Sequence, residues 1–470
     1  MAETNIGAGG EEWRRMDKTA GYNPDEFSTT INEARANITK IRQRDVELRV
    51  LGRDGKPLAD LPVEVVQTDS DFLWGDQLWG LDRRVRNGTQ HQDDCKAYRR
   101  LLPEILNACA ALMYWTERPR NDGPKSEEWQ GYPQYDALQW CVDWGNSAGL
   151  TVKGHPLFWS IPKAVPEWVK KYDYETQMKF VEVRIRSITS RFRGKIKLYD
   201  AVNEPMWEPA FKNLPQRDWP HLEDIGAIAD YIEPVLRWAR DEDPDADYLV
   251  NEYGLLAGDH EGKGVTTSDG QKVTGDSQLK RFIQLLHELL DRGAAPDVVG
   301  LQSHTAGWGH HDKQVATYDA IGEATNLPVH VTEFWAHTKH LQDTGMSQDE
   351  IDHAQAEYVK NYVTCAFGNE NVESFFFWGM SGDLIRFRKN GGWETTIVFD
   401  EMKDLLRNQW RTRESLKTDG DGVVRFRGFR GEYSLRFRQS DNHPTGVKFD
   451  VRRGPGTLME TVELPYRPRA

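Results

Sequence analysis

Eight apolar runs of strand length recur along the middle of the chain, with stretches of helical spacing between them. The helical stretches include Tyr174–Phe192 and Gln278–Arg292, and Asp276-Ser277 before the latter is a suitable N-cap. Strands that alternate with helices eight times predict a (β/α)8 barrel of the α/β class. The eight runs are Asp71–Trp79, Asn107–Trp115, Thr151–Trp159, Lys197–Glu204, Asp247–Tyr253, Val298–His304, Val329–Trp335 and Ser374–Met380.

An open, doubly wound sheet is the alternative architecture with the same alternation of strands and helices. Two features disfavour it. No Gly-x-Gly-x-x-Gly turn follows the first apolar run, and eight runs match the number of strands that closes a barrel.

The two ends of the chain alternate polar and apolar residues instead. Val46–Leu51 and Leu61–Gln67 flank the turn Asp54-Gly-Lys-Pro57, which predicts a β-hairpin, and Asp419–Phe437 continues in the same style with glycine turns. We therefore expect both ends to form one small β-sandwich beside the barrel. The predicted bounds are 1–35 for a flexible N-terminal segment, 36–70 for the hairpin part of the accessory domain, 71–410 for the barrel and 411–470 for the C-terminal part of the accessory domain.

Composition narrows the class of protein. The 470 residues fit a barrel of roughly 250–350 residues plus an accessory module. No stretch approaches the ~20 apolar residues of a membrane span, and a net charge of −14 argues against nucleic-acid binding. The first ten residues lack the basic start and apolar core of a signal peptide. We expect a monomer that is secreted or periplasmic if a signal was removed, and otherwise leave its location open.

Cysteine and histidine spacing predicts no metal site. Cys95, Cys109, Cys141 and Cys365 are scattered, which favours free and buried thiols. His310-His311 resembles a metal-binding pair, but no further ligand is spaced to complete a site. We therefore expect neither a metal nor another cofactor.

Polar and aromatic residues gather where the predicted strands end. The C-terminal ends of barrel strands are where active sites of this fold lie. Two of the apolar runs end in carboxylates, Glu204 and Glu333. Two carboxylates that face each other across a sugar are the chemical requirement for cleaving a glycosidic bond, so the sequence predicts a glycoside hydrolase.

Six short segments, in order, resemble the motifs of glycoside hydrolase family 10, the family of retaining endo-β-1,4-xylanases. The similarity spans roughly residues 70–410, and the flanking β segments resemble those of a bacterial branch with accessory modules at both ends. The segments are Gly154-His-Pro-Leu-Phe-Trp159, Asp200-Ala-Val-Asn-Glu204, Asn251-Glu-Tyr253, Gly300-Leu-Gln-Ser-His304, Val331-Thr-Glu333 and Phe377-Trp-Gly379.

The resemblance implies a double-displacement mechanism on a xylan-type polysaccharide or oligosaccharide. Glu204 corresponds to the general acid/base and Glu333 to the nucleophile, and the retaining mechanism places such carboxyl groups about 5 Å apart. His304 and Asn203 are expected to donate hydrogen bonds that hold Glu333 or the sugar. The substrate-binding candidates are His155, Trp159, Asn203, Tyr253, Gln302, His304, Trp378, Glu117 and Trp115.

Departures from the family pattern keep other interpretations open. The family's Met-Lys-Trp is Met113-Tyr114-Trp115 here, which puts recognition of the second sugar in doubt. Glu252 also ends a strand and competes for a carboxylate role, although we interpret it as a supporting partner; a solvated face is the plainer interpretation of Glu117. The alternatives are the same mechanism on another β-glycan or β-glycoside, and a non-catalytic carbohydrate-binding barrel.

Overall fold

Eight parallel strands close into a barrel in the computed structural model of the chain. Each strand pairs with the next, and the last pairs with the first. They are β1 (Leu73–Gln77), β2 (Ala108–Leu112), β3 (Thr151–His155), β4 (Leu198–Asn203), β5 (Asp247–Glu252), β6 (Val298–Leu301), β7 (Val329–Ala336) and β8 (Val372–Phe377). All eight predicted strands are confirmed, and the closed order excludes the open sheet.

The structure describes most of the chain. The described residues are 23–115, 127–129, 132–161, 164–206, 224–256, 265–266, 270, 272–305, 308–342, 344–379, 383–387, 393–438 and 444–464. Among them no helix is both long and apolar enough to cross a membrane.

Helices surround the barrel, and short strands decorate its rim. The α-helices are Ser28–Ile41, Trp79–Arg86, Asp93–Ile105, Asp136–Ser147, Tyr174–Phe192, Ile225–Glu242, Gly275–Asp291, His311–Thr325, Lys339–Gln342, Gln348–Phe367 and Ile397–Asp404, with a π-helical turn at Leu405–Gln409 and 3-10 turns at Pro24–Phe27 and Val169–Lys171. The short strands are Phe158–Trp159 beside β4, His304–Thr305 beside β7, and the pairs Glu127–Trp129 with Tyr132–Pro133, Val265–Thr266 with Lys272–Val273, and Ile385–Phe387 with Trp393–Thr395.

Helix caps follow local side-chain chemistry, with one correction. Asp173 accepts a hydrogen bond from the backbone of Thr176 and starts the helix Tyr174–Phe192. The cap of the helix Gly275–Asp291 is Thr274, not the predicted Asp276-Ser277. Ser277 lies at the third helical position and closes a reciprocal capping box with Thr274.

A β-sandwich made from both chain ends lies beside the barrel, as predicted. One sheet places Gln43–Leu51 between Val423–Phe429 and Leu458–Glu463. The facing sheet has the order Arg413–Lys417, Pro62–Ser70, Gly431–Arg438, Pro444–Val451. Inward residues of both sheets share one apolar core, which includes Val46, Leu48, Val65, Phe426, Tyr433, Leu435 and Phe449.

Two expectations at the N-terminal end were wrong in detail. The strands Gln43–Leu51 and Pro62–Ser70 do not form a hairpin with each other. They belong to facing sheets because their apolar residues meet across the core, and the bridge from Leu51 to Pro57 only starts the crossing. The helix Ser28–Ile41 begins within the segment 1–35 that was predicted as flexible, and it buries Ile31 and Ala34 there, and Ile38 beyond it, in the main core; residues 1–22 lie outside the described part.

Candidate active site

The two glutamates predicted as catalytic lie directly after β4, in the case of Glu204, and in the C-terminal half of β7, in the case of Glu333. Glu204 follows β4 directly, and its backbone adopts φ +53°, a left-handed conformation that is uncommon for a residue with a side chain. The carbonyl of Asn251 on the next strand accepts a hydrogen bond of 2.8 Å from the Glu204 backbone and holds this conformation. Strained backbone held in this way is concentrated at functional sites of proteins.

A chain of side-chain amides connects the two carboxylates. The Gln302 amide donates to Glu204 Oε1 at 2.8 Å and lies 3.5 Å from Asn203 Oδ1. The Asn251 amide donates to Asn203 Oδ1 at 2.8 Å and to Glu333 Oε1 at 2.9 Å. The orientation of each carboxylate is therefore coupled to that of the other through polar groups on four neighbouring strand ends.

Trp159 fixes the second oxygen of Glu204. Its indole N–H donates to Glu204 Oε2 at 2.9 Å. The ring is buried and packs against Tyr114 with centroids 5.6 Å apart. Both oxygens of Glu204 therefore accept hydrogen bonds from donors that packing holds in place.

Two histidines surround the carboxylate of Glu333. His304 Nε2 lies 3.1 Å from Glu333 Oε2, and His155 Nδ1 lies 3.8 Å from Glu333 Oε1. Burial by itself raises the pKa of Glu333, but His155 and His304 together outweigh burial and hold that pKa below its usual range. Glu333 is therefore ionised at neutral pH, the state that a nucleophile requires.

A third carboxylate, that of Asp200, lies fully buried in the barrel interior near Glu333 and its two histidines. Asp200 Oδ2 is 2.8 Å from Lys153 Nζ and 2.5 Å from His155 Nδ1. Burial raises the pKa of Asp200, and Lys153 and His155 outweigh burial and hold the pKa below its usual range. His155 is held from its other sides by the Tyr114 hydroxyl, 3.3 Å from Nε2, and by the ring of Trp378, 4.8 Å between centroids.

Glu252 is a structural support behind Glu204. Its fully buried carboxyl accepts hydrogen bonds from the backbone of Met206 and Tyr253, both at 2.9 Å. Burial raises the pKa of Glu252 well above its usual range, and the nearby charge of Glu204 raises it further. A buried carboxyl that braces the backbone after Glu204 matches the supporting role expected from the sequence.

The structure brings most of the predicted substrate-binding residues together. Tyr253 is partly buried and donates from its backbone to Glu252. Trp115 packs in the core against Trp168 and beneath the guanidinium of Arg184. Glu117 lies outside the described residues. The candidates joined in the network are Glu204, Glu333, His155, Trp159, Asn203, Gln302, His304 and Trp378.

Two residues of this network, Asn251 and Lys153, were not among the predicted site residues. His304 contacts Glu333 as expected, and the side-chain amide that donates to Glu333 is that of Asn251, which also donates to Asn203. Asn251 pairs with Asn203 across β4 and β5, so adjacent strand ends that both carry Asn were the available signal. Lys153 gave no such signal, because a single lysine in a strand ordinarily faces solvent.

The histidine pair His310-His311 and the four cysteines all lie in the described part of the chain. His311 is buried, packs against Phe27 and lies 3.1 Å from Gln314, and burial lowers its pKa to about 4. His310 is exposed at the start of the helix. No group of three His, Cys, Asp or Glu in the described part of the chain could hold a metal ion. The four cysteines are free and buried, as predicted.

Comparison with known proteins agrees with this geometry. The family model "Glycosyl hydrolase family 10" matches residues 124–404, more than half of the chain. The "Anti-sigma-I factor RsgI6" of Acetivibrio thermocellus is 25% identical over 447 residues, which cover 93% of this chain and 50% of that protein. "Endo-1,4-beta-xylanase 1" of Arabidopsis thaliana is 23% identical over 443 residues, 92% of this chain and 40% of that protein.

A solved structure shares the fold. Xylanase 10B from Thermotoga petrophila RKU-1, in complex with xylobiose, superposes with a TM-score of 0.52 at 17% identity and covers 72% of this chain and 95% of that one. The chain spans half or less of the length of the two curated relatives described above. Because the family model matches more than half of the chain and the fold is shared, we conclude that this chain belongs to glycosyl hydrolase family 10.

Proposed function

We propose that the chain is a retaining endo-β-1,4-xylanase in which Glu204 is the general acid/base and Glu333 is the nucleophile. The observation that carries the proposal is the amide chain that couples the two glutamates, with Glu333 held in its ionised form by His155 and His304. A retaining glycosidase needs one charged carboxylate for attack and a second carboxyl group that transfers a proton.

The proposed reaction has two steps. In the first, a carboxylate oxygen of Glu333 attacks the anomeric carbon while Glu204 gives its proton to the departing glycosidic oxygen. The bond from sugar carbon to leaving oxygen breaks, and a glycosyl ester on Glu333 forms. In the second, Glu204 takes a proton from water, and the water oxygen displaces Glu333 with net retention at the anomeric carbon.

The choice of xylan rests on the relatives. Several curated relatives carry the name endo-1,4-beta-xylanase, and the Thermotoga petrophila structure contains xylobiose. Trp378 packs beside His155 and is only partly buried, so its ring offers a face on which a sugar can stack.

One local feature favours the alternative of another β-glycan or β-glycoside. Tyr114 stands where the family pattern has lysine, and its hydroxyl lies 3.3 Å from His155 Nε2. The Tyr114 ring contacts Trp79 and Trp159, so a cluster of aromatic rings occupies the position where the family pattern has a positively charged side chain. The second alternative, a non-catalytic carbohydrate-binding barrel, is supported by the regulatory name of the Acetivibrio relative.

The test is release of reducing sugar from β-1,4-xylan, with the products resolved by chromatography. We expect short oligosaccharides from the parent, none from Glu204→Ala or Glu333→Gln, and unchanged release from Glu323→Gln, which alters an exposed glutamate. Proton NMR of the first product should show the β-anomer. Cleavage of an aryl β-glycoside without xylan hydrolysis would favour the other substrate, and binding without any turnover would favour the binding barrel.

A further inference from the structure

Positive charge is concentrated in the C-terminal part of the chain. Residues 411–470 contain 13 Lys and Arg against 8 Asp and Glu, although the whole chain carries −14. A charge asymmetry of this kind indicates a surface for an anionic partner. The structure places the described part of this segment mainly in the β-sandwich.

Four arginines line one groove, three of them from this segment and one, Arg407, just before it. It lies between the outer face of the four-stranded sheet and the π-helical turn Leu405–Gln409, and has a volume of about 500 Å³. We call it the arginine groove. No carboxylate is among its described lining residues, which comprise Arg407, Arg411, Arg413 and Arg436 together with Val66, Gln67, Thr68, Asn408 and Thr412.

The charge of the groove is only partly neutralised. Arg407 donates to the carbonyls of Pro103 and Glu104, and Arg411 donates to those of Gln67 and Thr68, so both guanidinium groups have neutral acceptors. Burial lowers the pKa of both Arg407 and Arg411; the charge of Arg411 adds to this at Arg407, whereas the carboxylate of Asp69 acts in the opposite direction on both.

The exposed side of the groove offers two further arginines. Arg413 pairs with Glu64 at 2.6 Å, and the Arg413 side chain remains 69% exposed. Arg436 lies opposite Glu64 in the strand register, and no carboxylate of the described residues forms an ion pair with it. Planar guanidinium groups bind carboxylates through paired N–H donors, and the neighbouring Thr68 and Asn408 can serve hydroxyl groups of a sugar.

We propose that the arginine groove binds the carboxylate of a uronic-acid residue carried by a polysaccharide. The groove would hold an acidic side group of the polymer while the barrel acts elsewhere on it, so the polysaccharide context rests on the proposed function. A densely charged polymer such as nucleic acid fits poorly, because the remainder of the chain is acidic and repels it. A glycan with sparse carboxylates places single charges in the groove without that repulsion.

The test is affinity electrophoresis of the full chain carrying Glu333→Gln, which prevents hydrolysis. Gels contain either glucuronoxylan or unsubstituted linear xylan at low salt. We expect stronger retardation by glucuronoxylan, and a loss of about three- to tenfold in that affinity for Arg413→Ala with Arg436→Ala, since charge-assisted hydrogen bonds are lost. Arg425→Ala is the matched control, because Arg425 is an exposed arginine of the other sheet that pairs with Asp419.

Three outcomes would overturn the proposal. These are equal retardation by both polymers, equal loss in the double variant and in Arg425→Ala, and displacement by inorganic phosphate at the concentration at which glucuronate displaces the polymer. The last would identify a general anion site. Hydrolysis of neutral xylo-oligosaccharides by the double variant in the active background should be unchanged. If the parent fails to hydrolyse xylan but is retarded more strongly by glucuronoxylan, the proposed function is refuted and the proposal for the arginine groove still stands.

Discussion

Lys153 and Asp200 form an ion pair of 2.8 Å in the barrel interior, and neither side chain is exposed to solvent. Asp200 is also 2.5 Å from His155, which in turn lies 3.8 Å from the carboxylate of Glu333. Basic side chains and carboxylates therefore alternate in the order Lys153, Asp200, His155 and Glu333, from the barrel interior to the candidate nucleophile. The buried ion pair thus positions His155 beside Glu333 and is also part of the core.

Replacing Lys153 by Met should destabilise the fold strongly, because it leaves Asp200 buried without its cation. We expect the free energy of unfolding in urea to fall by about 3–5 kcal/mol. The matched control is Lys195→Met, which breaks an equally short but half-exposed pair with Asp143 and should cost less than about 1 kcal/mol. Equal losses in both variants would contradict the role of the buried pair.

The same variant has a defined pH dependence. The folded pKa of Asp200 is depressed, so its stabilising contribution is present above the unfolded carboxyl pKa of about 3.9 and is lost as pH falls through the folded value. The advantage of the parent over Lys153→Met should therefore be greatest near neutral pH and shrink under acid. Thermal unfolding of both proteins across acidic and neutral pH measures it, and an advantage that grows on acidification would contradict the assignment.

Replacing His304 by Asn should move the acidic limb of the pH–rate profile to higher pH. His304 is one of the two groups that hold the pKa of Glu333 below its usual range, so its loss raises that pKa and demands a higher pH for the ionised nucleophile. The measurement is kcat/KM against pH, with the exposed His287→Asn as control. A profile that only falls in height, with its acidic limb in place, would assign His304 to the binding of substrate alone.

Gly300 is a second test of the amide chain. A methyl group at this position would lie 2.5 Å from the side-chain oxygen of Asn251, so Gly300→Ala must displace Asn251 from Glu333 and Asn203. We expect kcat to fall about 100-fold, as for displacements near 1 Å in an active site. Gly420→Ala, where the added methyl meets open space, is the control. Circular dichroism should show both variants folded, and full activity of Gly300→Ala would rule out a need for this placement.

Arg42 joins the sandwich to the barrel. Its buried guanidinium donates to the carbonyls of Phe367 at 2.8 Å and of Asn369 and Val372 at 2.6 Å. Arg42→Met leaves these acceptors unsatisfied and should lower the free energy of unfolding by about 3–5 kcal/mol. Arg427→Met, an exposed arginine paired with Asp45, should cost less than about 1 kcal/mol. Denaturant unfolding compares them, and a small loss for Arg42→Met would show that water replaces its contacts.

Much of the barrel and its two glutamates could be predicted because parallel strands buried on both faces leave continuous apolar runs. β2 and β4 are buried at every position, and the first residue after β4 is Glu204. A carboxylate directly after such a run is conspicuous in the sequence. The predicted fold and the positions of these residues in the network follow from that pattern.

Partners across the sheet could not be predicted in the same way. Alternation along Val46–Leu51 and Leu61–Gln67 defines which side chains face inward, but it does not tell whether two strands pair or face each other. Lys153 has an ordinary sequence context, and the pairing of β3 with β4 brings it to Asp200. The acceptor for the Asn251 amide likewise depends on the neighbouring strand end, which a linear pattern does not contain.

The sandwich has a consequence for the biosynthesis of this chain. The strand Gln43–Leu51 is made before the barrel, but both of its sheet neighbours, Val423–Phe429 and Leu458–Glu463, are made after the barrel. Its edges must therefore wait until the barrel has been synthesised, and pairing over such sequence separations is slow. The small domain can be completed only after the barrel, and a chain interrupted between the barrel and Val423 has both edges of this strand unpaired.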